Sequence, residues 1–124
     1  MENIEQIIIN EFPDMLQKCV EIYMYSGWYE LVKKTLQEIK DIIYPYSINI
    51  TQIKQKFGGL RIYYDECPKE KKEQIDNIIK KAERESFDIC EITGKPGKTR
   101  SLNGWRVTLC DEEYKYWIKN RKLK

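Results

Sequence analysis

The chain has 124 residues, 34% of them charged and 41% hydrophobic, with a net charge of +2, the balance of a single globular domain with its own core. No apolar run approaches the roughly 20 residues of a membrane span, and the acidic opening Met1-Glu2-Asn3-Ile4-Glu5 lacks the basic start of a secretion signal; no membrane partner is expected, and the cytoplasm is the expected compartment. Histidine is absent, so the commonest general base near neutral pH and the commonest metal ligand are missing and Ser-His or Cys-His nucleophilic sites are excluded.

In chain order, Ile4, Ile7, Ile8 and Ile9 read as a short helix or a strand, with nothing to separate the two. Pro13 suits the first turn of a new helix, and Met15, Leu16, Cys19, Val20 and Tyr23 follow helical spacing. Ser26-Gly27 breaks that pattern. A further helix carries Trp28, Leu31, Val32, Thr35, Leu36, Ile39 and Ile43 on one face and stops before Pro45, whose ring restricts Tyr44.

Ser47-Ile48-Asn49-Ile50-Thr51 leads into two β-compatible runs around Gly58-Gly59. Glycine accepts φ > 0 without steric penalty, so the pair predicts a two-residue hairpin turn with Phe57 facing Leu60, Gln55 facing Ile62 and Ile53 facing Tyr64. Alternation then places Ile53, Phe57, Leu60, Ile62 and Tyr64 on an apolar face, and Lys54, Lys56, Arg61 and Tyr63 on a basic, tyrosine-bearing one. Pro68 opens a long helix over 68–86 with Ile75, Ile78, Ile79 and Ala82 on its buried side, backing the hairpin.

From Phe87 the texture becomes loop-like through Lys98, followed by two short strands around Asn103-Gly104 in which Trp105, Val107 and Leu109 alternate as in a half-buried strand. Asp111 is placed to cap a last helix through Tyr114, Trp117 and Ile118, before the basic tail from Lys119 to Lys124. The expected architecture is a single α+β domain over 1–124. It has a helical part over 1–46, hairpin plus helix over 47–86 and a knuckle-like tail over 87–124.

Gly27-Trp28, the run Ile53 to Tyr64, Cys90-Glu91, Gly94-Lys95-Pro96-Gly97, Gly104-Trp105 and Thr108-Leu109-Cys110 together resemble a family of small, mostly uncharacterised proteins scattered through bacterial, prophage and phage genomes. The resemblance covers roughly residues 26–114 and brings no activity with it. In that family the tail usually reads Cys-x-x-Cys-Gly and, about twenty residues on, Cys-x-x-His, similar to a four-ligand zinc knuckle. Here the matching positions are Cys90, Thr93, Cys110 and Glu113. Two thiols survive, where a structural zinc wants four soft or imidazole donors. The expectation is a degenerate knuckle without metal, its fold kept by packing around Cys90 and Cys110, and no cofactor.

Other constellations carry less. Gly94-Lys95-Pro96-Gly97-Lys98-Thr99 ends like a phosphate-binding loop, but Ile92 stands where that motif needs glycine. Asp65-Glu66 and Asp111-Glu112-Glu113 are adjacent acids, which point apart rather than pair. Cys19 lies on an apolar stripe and Cys67 in a loop, neither with a base partner. Residues 1–47 hold 4 Lys/Arg against 8 Asp/Glu and residues 48–124 hold 18 against 12, a basic second half suited to an acidic partner. Lys54, Lys56, Arg61 and Tyr63, extended by Lys98, Arg100, Arg106 and Arg121, are the candidate binding residues. The expected function is non-enzymatic binding. The phage setting of the look-alikes implies an accessory protein that inhibits a host defence protein such as a CRISPR nuclease. The alternatives are a nucleic-acid-binding protein descended from a zinc-knuckle module and a bacterial immunity or partner-binding protein.

Overall fold

The computed structural model describes residues 3–19 and 21–121; Val20, the Arg121 side chain and the end of the basic tail lie outside the described residues. The isoleucines at the start form a helix, α1 (Ile4–Glu11), whose N-cap Asn3 accepts a 2.8 Å hydrogen bond from the Glu5 N–H through Oδ1. The stretch after Pro13 is not a helix. Met15 and Leu16 are buried in turns, and the chain then enters a strand, β1 (Glu21–Tyr23). Its partner is a strand about thirty residues away, β2 (Asn49–Lys56), and the pairing is parallel, Ile22 against Ile53. A non-local pairing overrides the local spacing.

After a 3₁₀ turn at Ser26–Trp28, α2 (Tyr29–Ile43) buries Leu31, Val32, Thr35, Leu36, Ile39 and Ile43, the stripe read from the sequence. Thr35 belongs to it because its hydroxyl donates back to the Leu31 carbonyl at 2.7 Å. A 3₁₀ turn after Pro68 leads into α3 (Lys72–Ser86), which turns Ile75 and Ala82 inward. The two long helices cover the core face of a three-stranded sheet in the order β1-β2-β3, with β3 spanning Gly59–Asp65. This is the expected α+β layering. Among the described residues no helix is long and apolar enough to cross a membrane.

The hairpin turn falls one residue early. Lys56 pairs with Gly59, Ile53 with Ile62 and Gln55 with Leu60, so the turn residues are Phe57 and Gly58, at φ 55° and 83°. Both dihedrals are positive, as a type I′ turn requires. Relative to the expected register, each partner moves by two residues. Side chains repeat with period two, so the slide leaves both faces as expected and removes only Phe57, which is 61% exposed at the tip. A bulge between Ile50 and Gln52 adds a residue and rotates Ile50 inward beside Ile53. Gly59 serves close approach instead of turning: a Cβ there would lie 2.6 Å from the Phe87 ring.

A second, two-stranded sheet follows, β4 (Lys98–Leu102) and β5 (Trp105–Leu109), turned by Asn103-Gly104 with both φ positive. The last helix, α4 (Asp111–Tyr116), has Cys110 rather than Asp111 at its N-cap position, with no side-chain cap, and continues as a π-helical turn through Trp117–Arg121. Trp117 is buried there; Ile118 is exposed. Cys90, Val107, Leu109, Cys110 and Trp117 form a small second core.

The turn geometry gives a test. Gly58→Val introduces a β-branched residue at positive φ, with its Cβ 2.7 Å from Thr99 Cγ2, and is expected to cost on the order of 1–2 kcal/mol in denaturant unfolding. Phe57→Asn, which suits the first position of a type I′ turn, is expected to cost nothing. Equal losses in both variants would contradict the assignment of the turn.

Candidate functional site

The residues named from the sequence separate into groups. Lys54, Lys56, Arg61 and Tyr63 do share the outward face of the first sheet, with Glu21, Tyr23 and Gln52 beside them by register. Two of the cations are already engaged: Lys54 lies 3.5 Å from Glu21, and Arg61 lies 3.6 Å from Glu83, reaching round the sheet edge to α3. Lys54 also sits 5.9 Å from the Tyr63 ring centroid, and Lys56 5.7 Å from that of Phe57. On the second sheet Lys98 and Arg100 share one face while Arg106 projects from the other. Arg100 donates to Asp111 at 2.7 Å and to the Leu109 carbonyl and stacks on Tyr114, which makes it a structural clamp. Among the described residues Lys56, Lys98 and Arg106 have no ion-pair partner within 4.0 Å. The basic residues do not form one continuous surface.

The knuckle positions partly converge. Cys90 and Cys110 are buried, the Thr93 N–H points at Cys90 Sγ at 3.5 Å, and the Thr93 hydroxyl reaches Cys110 Sγ at 3.8 Å. Burial raises the Cys90 thiol, but hydrogen bonds from Thr93 and from the Thr93, Cys110 and Ile92 N–H groups outweigh it and hold the thiol below its ordinary value. No three His, Cys, Asp or Glu side chains converge among the described residues. Two thiols and a hydroxyl do not fit a four-donor zinc site.

The cavity of interest was not read from the sequence. It holds about 380 Å³ and is lined by Tyr23, Met24, Tyr25, Gln55, Glu91, Leu102, Asn103, Trp105, Val107 and Trp117. Five separate segments supply these residues, and Glu91 is the one among them that hydrogen-bonds to three other parts of the chain. The Glu91 N–H donates to the Thr108 carbonyl at 2.9 Å, and its carbonyl accepts from the Gly27 N–H at 2.7 Å. Its side chain, 1% exposed, accepts at Oε2 from the Thr108 N–H at 2.8 Å and from Gln55 Nε2 at 3.1 Å. Gln55 donates also to the Arg106 carbonyl at 2.8 Å. Burial pushes the Glu91 carboxyl up to about 7, against the two donors, which favour its charged form.

The rim is aromatic. Trp105, Tyr23 and Tyr25 are roughly half exposed, and Tyr25 meets the buried Trp117 edge to face at 6.3 Å. Trp105, expected half-buried in its strand, is 56% exposed, although its cross-strand partner Leu102 packs against the small core. The available sequence signal was a single acid, Glu91, set between Cys90 and Ile92. A second groove, between β3 and α3, is lined by Tyr64, Lys72, Asp76 and Glu83. There Tyr64 and Lys72 both donate to Asp76, and the network is closed on itself.

No protein-family model matches the chain, and comparisons with curated proteins and with solved structures find no match either.

Two measurements test this site. Glu91 binds its proton more tightly folded than unfolded, so its contribution to stability is complete below about pH 4.5 and is lost as pH rises through about 7. Wild-type unfolding free energy should therefore fall over that window relative to Glu91→Gln, by on the order of 3 kcal/mol in all. Parallel profiles would mean the carboxyl is solvated. For the knuckle, elemental analysis should find well under one zinc per chain and a chelator should leave Tm unchanged, since a structural zinc would make folding depend on it.

Proposed function

We propose that this is a non-enzymatic binding protein that captures a partner protein at the aromatic-rimmed cavity over Glu91. The observation that carries the reading is the combination of three exposed aromatic rings, Tyr23, Tyr25 and Trp105, around a buried carboxyl. Aromatic side chains that bring large area and few rotatable bonds are what binding hot spots are made of. Binding is favoured over catalysis because Glu91 is joined in the cavity by no second carboxyl, thiol, lysine or arginine among the described lining residues. A protein partner is favoured over nucleic acid because Lys54, Arg61 and Arg100 already face Glu21, Glu83 and Asp111, which weakens the counterion-release drive of phosphate binding.

The biological role that fits the resemblance to phage and prophage proteins is inhibition of a host defence protein in the bacterial cytoplasm. Four free cysteine thiols suit a reducing compartment.

The test compares tagged wild type with Trp105→Ala in pull-downs from a related bacterial lysate. Trp105 is exposed, so the substitution should change stability by less than about 0.5 kcal/mol, yet it should reduce recovery of the partner at least about tenfold. Gel shifts run alongside decide the other reading. Retention of oligonucleotide that falls steeply with salt, with partner recovery indifferent to Trp105→Ala, would replace the protein-capture reading by nucleic-acid binding.

A further inference from the structure

We infer that the cavity receives the guanidinium of an arginine side chain presented by the partner protein, seated against Oε1 of Glu91 and stacked on the rim aromatics. This rests on the binding reading above and specifies the chemistry of its guest.

The floor asks for hydrogen-bond donors. Glu91 Oε2 already accepts two N–H groups, while Oε1 accepts from no described residue although the side chain is almost wholly buried. Gln55 is oriented by its neighbours. Its Nε2 donates to a carboxylate and to a carbonyl, so that end must be the amide nitrogen and the amide oxygen is left as an acceptor. Arginine offers five N–H donors in a planar fork and no acceptor.

Charge points the same way. No lysine or arginine lines the cavity among the described residues, so an ionised Glu91 has no counter-ion there and a phosphate-bearing guest would meet no cation. A cation entering this site gains more from the carboxylate than it would in water. Burial that holds the carboxyl near 7 reports the same missing positive charge.

The walls select among cations. Trp105, Tyr23 and Tyr25 present rings to a guest at the mouth, and guanidinium both stacks on such rings and interacts with their π faces. Lysine is a compact, strongly hydrated ammonium and loses more on entering an aromatic slot. A volume of about 380 Å³ lies at the small end of ligand-site sizes, sufficient for one arginine side chain and ordered water.

The experiment titrates the full chain with N-acetyl-arginine methylamide, following the Trp105 and Trp117 indole N–H signals by NMR. The same titration is run with the lysine analogue, with the citrulline analogue (same shape, no charge) and with guanosine monophosphate. The arginine probe should shift both signals and bind at least about tenfold more tightly than the citrulline probe, a difference of about 1.4 kcal/mol. Glu91→Gln should reduce it to the citrulline level. Should that variant not fold, Trp105→Ala supplies the comparison and should weaken the arginine probe severalfold. Equal binding of arginine and citrulline probes, preference for the lysine probe or the nucleotide, or no shift with arginine would each overturn the inference. Failure of the arginine probe while Trp105→Ala still loses the partner would leave the binding reading standing. Arginine binding together with partner capture indifferent to Trp105 would overturn the binding reading alone.

Discussion

One residue holds the two halves of this molecule in register. Through its backbone Glu91 is tied to Gly27 at the entrance to α2 and to Thr108 in β5; through its side chain it is tied to Gln55 in the hairpin and again to Thr108. Each of these is a contact between segments at least 17 residues apart. A buried carboxyl is costly unless hydrogen-bonded, and the cost here is offset by two donors on one oxygen. The other oxygen is open toward the cavity. The group that organises the junction therefore keeps one carboxylate oxygen without a donor among the described residues.

Around that residue the contacts reinforce one another. The Trp28 indole N–H donates to the Ile89 carbonyl at 2.9 Å, binding the buried end of the main core to the segment that follows α3. The Thr108 hydroxyl donates to the Gly58 carbonyl at 2.7 Å, and because that proton is committed, the Thr99 hydroxyl 2.8 Å away must donate to Thr108. The hairpin tip is thereby fastened to the second sheet. The tail is held by the Thr93 N–H to Cys90 Sγ contact, the Arg100 clamp and these tertiary hydrogen bonds.

Much of the fold was legible in local pattern. The period of α2 and α3 came through because their stripes meet a single core, and Asn103-Gly104 announced its hairpin by turn chemistry. The first hairpin shows a subtler success: its turn was placed one residue late, yet the faces survived because the register moved by an even number. What local pattern missed was β1. Met15, Leu16, Cys19 and Tyr23 mimic helical spacing, while the decisive interaction is a parallel pairing with β2 that no window around residue 20 contains. The cavity was illegible for the same reason. Its floor and rim come from residues 23–25, 55, 91, 102–107 and 117, and nothing in the sequence announces that these meet. The basic face was legible as a face, whereas its neutralisation by Glu21 and Glu83 was not.

The contrast between floor and rim has an evolutionary corollary. Glu91, Gln55 and Val107 belong to the hydrogen-bonded and packed junction, so changes among them disturb folding as well as recognition. Tyr23, Tyr25 and Trp105 are exposed on a short strand, just after it and at the start of β5, where substitution leaves the scaffold almost untouched. Selection can then revise what the mouth fits while the anchor beneath it stays constant. If the cavity captures a partner as proposed, such a chain can follow that partner's changes through single replacements at the rim, without passing through an unfolded intermediate sequence.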